Sequence, residues 1–112
     1  MEKILQGLGT SMGRAKGKVR IVSGEEDHHT FRAGEILVTH ITDPTMVPIM
    51  AKAAGIICEI GGMTSHPSIV SREMGIPCVV GLKTVTKWLK DGETVEVKAT
   101  EGRVLKQQSG TM

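Results

Sequence analysis

Three short stretches in the middle of the chain, residues 36–38, 56–58 and 78–80, are apolar at every position. Continuous apolar runs of this length predict strands that are buried on both faces. The segments between them place apolar residues at helical spacing. This alternation of strands and helices indicates an α/β fold with a mixed, layered arrangement of sheet and helix.

The two helical segments have recognisable ends. The first begins at Asp43 or Thr45, both of which are residue types that cap helices, and Gly55 is expected to end it. The second begins at His66 and is predicted to continue to about Met74, because a Gly-Ile-Pro sequence follows and cannot extend a helix.

The outer parts of the chain show the two-residue alternation of half-buried strands. Residues 18–22 and 94–98 alternate polar and apolar side chains, and turn signals lie on either side of the second stretch. The other expectations are a loop over residues 23–29, a short helix over 84–89, a last strand over 103–105 and a frayed end over 107–112.

Length and charge narrow the classes of protein to consider. With 112 residues the chain can form one ordinary core, so we assign residues 1–112 to a single domain. The net charge is +2, no basic block is present and there are only two aromatic residues, which argues against a nucleic-acid partner. The sequence shows neither a membrane-spanning apolar stretch nor a signal-peptide pattern, so we expect no membrane partner and a cytoplasmic location.

The candidate metal ligands do not form a recognisable site. Cys58 and Cys78 lie in apolar, strand-like surroundings and are expected to be buried, reduced thiols. The histidines and cysteines lack the close pairing typical of zinc ligands, so no metal site is predicted. The sequence also lacks a P-loop, a nucleophile elbow and a dinucleotide fingerprint.

The strongest chemical signal is His66, which follows a loop containing Gly61 and Gly62 and opens the second helix. A helix N-terminus presents unpaired N–H groups and the positive end of the helix dipole, and therefore favours an anion such as a phosphoryl group. An imidazole at that point can attack phosphorus and carry the group covalently. The alternative is a histidine that only caps the helix or hydrogen-bonds within the loop.

Four neighbours of His66 are predicted to hold or orient the phosphoryl group. Thr64 and Ser65 offer hydroxyl groups just before the histidine. Ser68 and Ile69 offer N–H groups at the helix tip, and Ser68 adds a hydroxyl group.

Two further residues bear on this site. Pro67 suits the first helical position, with Ser65 or His66 as the cap, and it removes one N–H donor from the helix tip. Arg72 is a possible phosphate contact about 9 Å along the helix from His66. A surface charge that docks a partner is an equally good interpretation of Arg72.

Residues 61–81 together resemble the phosphohistidine, or swivelling, domain of the phosphoenolpyruvate-utilising enzymes. These enzymes include pyruvate phosphate dikinase, phosphoenolpyruvate synthase and enzyme I of the sugar phosphotransferase system. The matching residues are Gly61, Gly62, Thr64, Ser65, His66, Ile69, Val70, Arg72, Glu73, Gly75, Ile76, Pro77, Val79, Val80 and Gly81. The departures, where alanine is usual, are Pro67, Ser68, Ser71 and Cys78. Similar blocks around residues 7–19, 34–44 and 91–104 extend the resemblance over nearly the whole chain.

The resemblance implies the swivelling β/β/α fold and a nucleophilic Nε2 atom on His66. It implies a phosphoryl-carrier domain, a component of a phosphotransferase rather than a complete enzyme. The phosphoryl donor and acceptor sites would lie on nucleotide-binding (ATP-grasp-like) or phosphoenolpyruvate/pyruvate-binding partner polypeptides. Those partners, and not this chain, would bind Mg²⁺ and ATP or phosphoenolpyruvate. The alternative is a non-catalytic binding or regulatory module that keeps the swivelling fold.

Overall fold

The structure, a computed structural model, describes residues 2–107, and the side chains of residues 4–106. Eight strands form in the order β1 (Glu2–Gln6), β2 (Leu8–Ser11), β3 (Arg14–Ile21), β4 (Ile36–Thr39), β5 (Gly55–Cys58), β6 (Cys78–Val80), β7 (Thr94–Lys98) and β8 (Arg103–Gln107). The helices are α1 (Val47–Met50), α2 (His66–Met74) and α3 (Val85–Trp88). Three 3₁₀ segments span Glu25–Thr30, Pro44–Met46 and Ala99–Glu101.

The strands follow the order β1-β8-β7-β3-β4-β5-β6-β2. One half, β1-β8-β7-β3, is antiparallel, whereas β3, β4, β5 and β6 are parallel neighbours. Strand β3 belongs to both halves, because Arg14–Lys18 pair with β7 and Val19–Ile21 pair with β4. The segment of β1 and β2 also joins the halves, since β1 pairs with β8 and β2 with β6.

The core has two apolar clusters, one on each face of the parallel half. The first lies between the two halves of the sheet and includes Val38, Ile57 and Val79 from the parallel strands and Val95 and Val97 from β7. The second lies between the parallel strands and the helices, and its buried members include Leu37, Ile56, Val80, Ile49 and Met50. The three fully apolar runs are therefore buried on both faces, and the layers follow the β/β/α order implied by the resemblance.

The two predicted helices end differently from each other. Helix α2 runs from His66 to Met74 as predicted, and Gly75 ends it in the left-handed conformation at φ 70°. The first helix is shorter than predicted. It begins as a 3₁₀ turn capped by Asp43, whose carboxylate accepts from the Thr45 N–H, and it ends at Met50. Gly55 is the first residue of β5 and not the end of that helix.

Several expectations for the outer segments are confirmed and others are corrected. The hairpin of β7 and β8 and the short helix α3 form where the sequence predicts them. The loop predicted over residues 23–29 contains a 3₁₀ helix, and strands β1 and β2 were not predicted. Gln107 still belongs to β8, and the rest of the predicted frayed end, residues 108–112, lies outside the described residues.

Both cysteines are free and buried, as expected. Burial raises the pKa of both the Cys58 and the Cys78 thiol. Within residues 2–107 there is no helix with the length and apolar character needed to cross a bilayer.

Candidate functional site

The parallel strands bring two loops together beside His66. Strands β4 and β5 are neighbours in register, with Thr39 opposite Cys58 at their carboxyl ends. The chain after β4 continues through Thr42, and the chain after β5 forms the glycine loop that precedes α2. Residues that are 24 positions apart in sequence therefore meet at one edge of the sheet.

Thr42 is the residue that contacts the imidazole of His66. Its Oγ1 lies 2.7 Å from Nδ1 of His66, and the threonine is 3% exposed. When Nδ1 carries the ring proton it donates to this hydroxyl, and Nε2 then keeps a free lone pair. With that tautomer, the contact orients the ring and leaves the Nε2 lone pair available.

No local pattern marks Thr42 as a site residue. It lies in the resembling block over residues 34–44, where the local signal is Asp43 as a helix cap. The usable signal was topological: in parallel neighbouring strands, the loops that follow the carboxyl ends meet at the same edge of the sheet.

The glycine loop packs tightly against the start of α2. Gly61 has a φ of 135°, and a β-carbon there would lie 2.8 Å from the Ser65 hydroxyl oxygen. Any other residue at this position would be strained and would also push the loop away from α2. Gly62 has room for a side chain, and its contribution is its carbonyl group.

The Gly62 carbonyl accepts hydrogen bonds from two serines of α2 and its cap. The Ser65 N–H, Ser65 Oγ and Ser68 Oγ donate to it over 3.2, 2.8 and 2.7 Å. Ser65 is the N-cap of α2 and makes no side-chain capping bond, and Ser68 is fully buried. In this structure both hydroxyls hold the loop. Their predicted contact with a phosphoryl group stays a prediction.

The set of free donors at the helix tip differs from the predicted one. The Ile69 N–H donates to the Ser65 carbonyl over 3.0 Å, so it is not the unpaired donor that the sequence predicts. Pro67 takes the second helical position and not the first. Thr64 is exposed, and within residues 2–107 neither its hydroxyl nor its N–H has a hydrogen-bond partner.

Arg72 binds backbone rather than another side chain. Its Nη1 donates to the Thr10 carbonyl of β2 over 2.9 Å, and its Nη2 donates to the Met63 carbonyl over 2.7 Å. Met63 belongs to the loop just before His66, so Arg72 connects that loop with the edge strand β2.

Charged groups nearby serve mainly to shape the loops. Hydrogen bonds from the Thr45 hydroxyl and N–H hold the pKa of Asp43 below its usual value, and the neighbouring His28 and His66 act in the same direction. Asp43 therefore stays ionised beside the site and caps the 3₁₀ turn that follows Thr42.

A second histidine, His40, lies at the end of β4 and has a different partner. Its Nδ1 is 2.9 Å from Oε1 of Glu59, and the other carboxylate oxygen accepts from the N–H and hydroxyl of Thr86 over 2.9 and 2.7 Å. Burial acts to raise the pKa of Glu59, but hydrogen bonds from His40 and Thr86 outweigh it, and that pKa is lowered.

A cleft of about 340 Å³ with a mixed polar and apolar lining opens beside Thr42, and Ile41 and Asp43 on either side of that residue line it. Its other lining groups include the imidazoles of His28 and His40. Over the part of the chain that the structure describes, no group of three or more histidine, cysteine, aspartate or glutamate side chains is arranged to hold a metal ion.

Comparisons with known proteins identify the family. The model of the PEP-utilising enzyme mobile domain matches residues 31–102, a range that includes Thr42, His66 and Arg72. The chain belongs to this family. It is 50% identical over 105 residues, or 94% of its length, to the phosphoenolpyruvate synthase of Pyrococcus furiosus. It is also 50% identical over 101 residues, or 90% of its length, to a probable phosphoenolpyruvate synthase of Archaeoglobus fulgidus.

The mobile-domain fold is also seen in a solved structure. The chain resembles an NMR structure of Enzyme I with a TM-score of 0.59 and 31% identity, over 70% of this chain and 32% of that one. The chain spans only 13% of each of the two synthases. It therefore corresponds to one mobile domain within much longer phosphoenolpyruvate synthase-like proteins.

Proposed function

We propose that this mobile domain is a phosphoryl carrier that is transiently phosphorylated on Nε2 of His66. The observation that carries the proposal is the 2.7 Å contact between Thr42 Oγ1 and His66 Nδ1. It occupies one ring nitrogen at the start of α2 and leaves the other free at a helix N-terminus, where anions are favoured. Family membership gives independent support.

The first transfer step forms an N–P bond. The Nε2 lone pair attacks the terminal phosphorus of the donor, and the P–O bond to the donor breaks with its electron pair going to the leaving oxygen. The proton on Nδ1 stays in place and donates to Thr42 as positive charge develops on the ring. Positioning and electrostatics are the contributions that the chain itself makes to this step.

The second step reverses the bond changes. An acceptor oxygen attacks the phosphorus, the N–P bond breaks, and its electron pair returns to Nε2. The imidazole is thereby restored, and the domain carries no net chemical change after a cycle. Donor and acceptor are proposed to be bound by partner domains, ATP-grasp-like or phosphoenolpyruvate/pyruvate-binding, which would also hold Mg²⁺ with ATP or phosphoenolpyruvate.

Chemical phosphorylation tests the assignment without a partner. Phosphoramidate, a small N–P donor, should phosphorylate His66 faster than His28, His29 or His40, because only His66 combines an oriented ring with a helix N-terminus. The product should be acid-labile and alkali-stable, and peptide mapping should place it on His66. Equal rates at the four histidines, or acid-stable label on Thr64 or Ser65, would contradict the proposal.

A second experiment separates a carrier from a complete enzyme. The chain incubated with Mg²⁺ and labelled ATP or phosphoenolpyruvate alone should incorporate no label, because those substrates are proposed to bind to partner domains. Stoichiometric labelling of His66 under these conditions would require a substrate site on this chain. If phosphoramidate also fails to mark His66 selectively, a non-catalytic module with the same fold becomes the better interpretation.

A further inference from the structure

Arg72 makes two hydrogen bonds whose acceptors are both backbone carbonyls, on two separate parts of the chain. Its guanidinium spans from Thr10 in β2 to Met63 in the loop before His66, over 2.9 and 2.7 Å. No carboxylate of the described residues forms an ion pair with it. The side chain is exposed, and its charge therefore does not serve to neutralise a buried carboxylate.

The hydrogen bond to the Met63 carbonyl fixes the orientation of the peptide plane between Met63 and Thr64. In a trans peptide the C=O and the following N–H point in opposite directions. Because the Met63 carbonyl points to Arg72, the Thr64 N–H points away from it. This N–H has no partner among the described residues and lies two positions before His66.

The preceding peptide is held in the same way from the same helix. The Gly62 carbonyl is bound by Ser65 and Ser68, so the Met63 N–H points away from them. Residues 65, 68 and 72 follow at helical spacing, which places their side chains along one side of α2. The two peptides that follow Gly62 and Met63 are therefore oriented by Ser68 and Arg72 of α2 and by its N-cap Ser65.

We infer that Arg72 is a positioning residue for phosphoryl transfer at His66. It acts through the peptide between Met63 and Thr64, which it fixes relative to both α2 and β2, and not through contact with phosphate. This inference rests on the proposed function of His66. The planar guanidinium fork is required, because the point charge of a lysine cannot direct donors to two fixed carbonyls in the same way.

The test compares Arg72→Met and Arg72→Lys with the unchanged chain after phosphorylation with phosphoramidate. Phosphohistidine should still form in both variants, since His66 and Thr42 are intact. Its hydrolysis should be about fivefold to tenfold faster in Arg72→Met, the factor expected for loss of about one hydrogen bond. Arg72→Lys should behave like Arg72→Met, because it keeps the charge but loses the fork.

A spectroscopic readout distinguishes positioning from general weakening of the fold. In the unchanged chain, phosphorylation should shift the backbone amide resonances of Met63 and Thr64 in ¹H–¹⁵N spectra. In both Arg72 variants these shifts should be reduced. Lys16→Met, which removes an exposed cation from β3, is the matched control and should leave hydrolysis and amide shifts unchanged.

Each outcome bears on one proposal. Failure of the unchanged chain to form phosphohistidine at His66 overturns the proposed function itself. Unchanged hydrolysis and amide shifts in Arg72→Met overturn the positioning role alone. Normal behaviour of Arg72→Lys shows that charge, and not the fork, is what matters, and also overturns it. If Arg72→Met does not fold, the Lys variant decides between these outcomes.

Discussion

His66 and His40 use the same ring nitrogen for different purposes. Both lie beyond the carboxyl ends of parallel strands, and each places Nδ1 within 3 Å of a side-chain oxygen. His40 is paired with a carboxylate that also holds the start of α3, and its side chain is 64% exposed. His66 is paired with a buried, neutral hydroxyl and stands at the first position of α2.

Because both rings have an Nδ1 hydrogen bond, that bond alone does not distinguish the proposed nucleophile from His40. The Glu59 carboxylate links the end of β4, the end of β5 and α3 through hydrogen bonds. The contact between His40 and Glu59 therefore belongs to a network that holds these elements together. The Thr42 hydroxyl holds no other element through a side-chain bond among the described residues. Its partner ring is oriented towards a helix N-terminus, and the surrounding loop is held by Ser65, Ser68 and Arg72.

The largest expected effect comes from removing each ring in turn. His66→Ala should abolish acid-labile label from a partner phosphotransferase, because the proposed acceptor atom is gone. His40→Ala should leave labelling unchanged, and so should His28→Ala and His29→Ala. Quantitative ³²P incorporation checks the series. Loss of label in His40→Ala, in a variant that still folds, would contradict the division of roles between the two rings.

Removing the Thr42 hydroxyl should have the next largest effect. Thr42→Val keeps the shape but leaves Nδ1 without its partner, so phosphorylation should slow by about 10- to 100-fold, the cost of one hydrogen bond to a group that becomes charged. ³¹P spectra should also show some Nδ1-phosphohistidine, because the ring is no longer fixed.

Thr39→Val is the matched control for this change. Thr39 is as buried as Thr42 and donates to the Val22 carbonyl over 2.8 Å, away from His66. It should lower stability without changing the site of phosphorylation. Equal slowing in both variants would mean that Thr42 acts only through the fold.

The sequence predicted the parts of this site that are continuous in the chain. The bounds of α2, the loop at Gly61 and the position of His66 at the start of α2 all follow from local signals, such as the glycine pair before the helix and Gly75 after it. The three buried strands could be predicted equally well, because a short run that is apolar at every position is typical of a strand buried on both faces.

What the sequence could not predict depends on pairing across the sheet. The contact between Thr42 and His66 exists because β4 and β5 are neighbours in register, and no local pattern specifies that neighbour. Strands β1 and β2 were missed for a similar reason: Gly7 and Gly9 interrupt the pattern. At Gly9 the backbone lies so close to the 3₁₀ segment Ala99–Glu101 that a β-carbon would lie 1.7 Å from the Ala99 carbonyl oxygen.

The hydrogen-bond network of Glu59, His40 and Thr86 is expected to affect the stability of the fold and not the phosphorylation of His66. Glu59→Gln should lower the free energy of unfolding by about 1–2 kcal/mol at neutral pH, because charge-assisted hydrogen bonds from His40 and Thr86 are weakened. Phosphorylation of His66 should be unchanged. Urea unfolding of the two proteins, with phosphoramidate labelling alongside, measures both.

The same variant carries a pH dependence whose sign follows from the lowered pKa of Glu59. A carboxyl with a lowered folded-state pKa stabilises fully above its unfolded pKa, about 4.3, and loses that contribution as the pH falls through the folded value. The difference in unfolding free energy between the unchanged chain and Glu59→Gln should therefore shrink below about pH 4. A difference that stays constant down to pH 2 would show that the carboxylate charge contributes nothing.

The smallest expected effect concerns the serine that holds the glycine loop beside His66. Ser68→Ala removes the 2.7 Å bond to the Gly62 carbonyl, which keeps its bonds from Ser65, so the free energy of unfolding should fall by about 1 kcal/mol. Phosphohistidine hydrolysis should become modestly faster, because the loop is less firmly oriented. Ser71→Ala is the control: Ser71 is equally buried on α2, but its hydroxyl lies against the weakly accepting Cys78 thiol and not against the loop. Faster hydrolysis in both variants would trace the effect to helix packing, whereas faster hydrolysis in Ser68→Ala alone would show that orientation of the glycine loop stabilises the phosphohistidine.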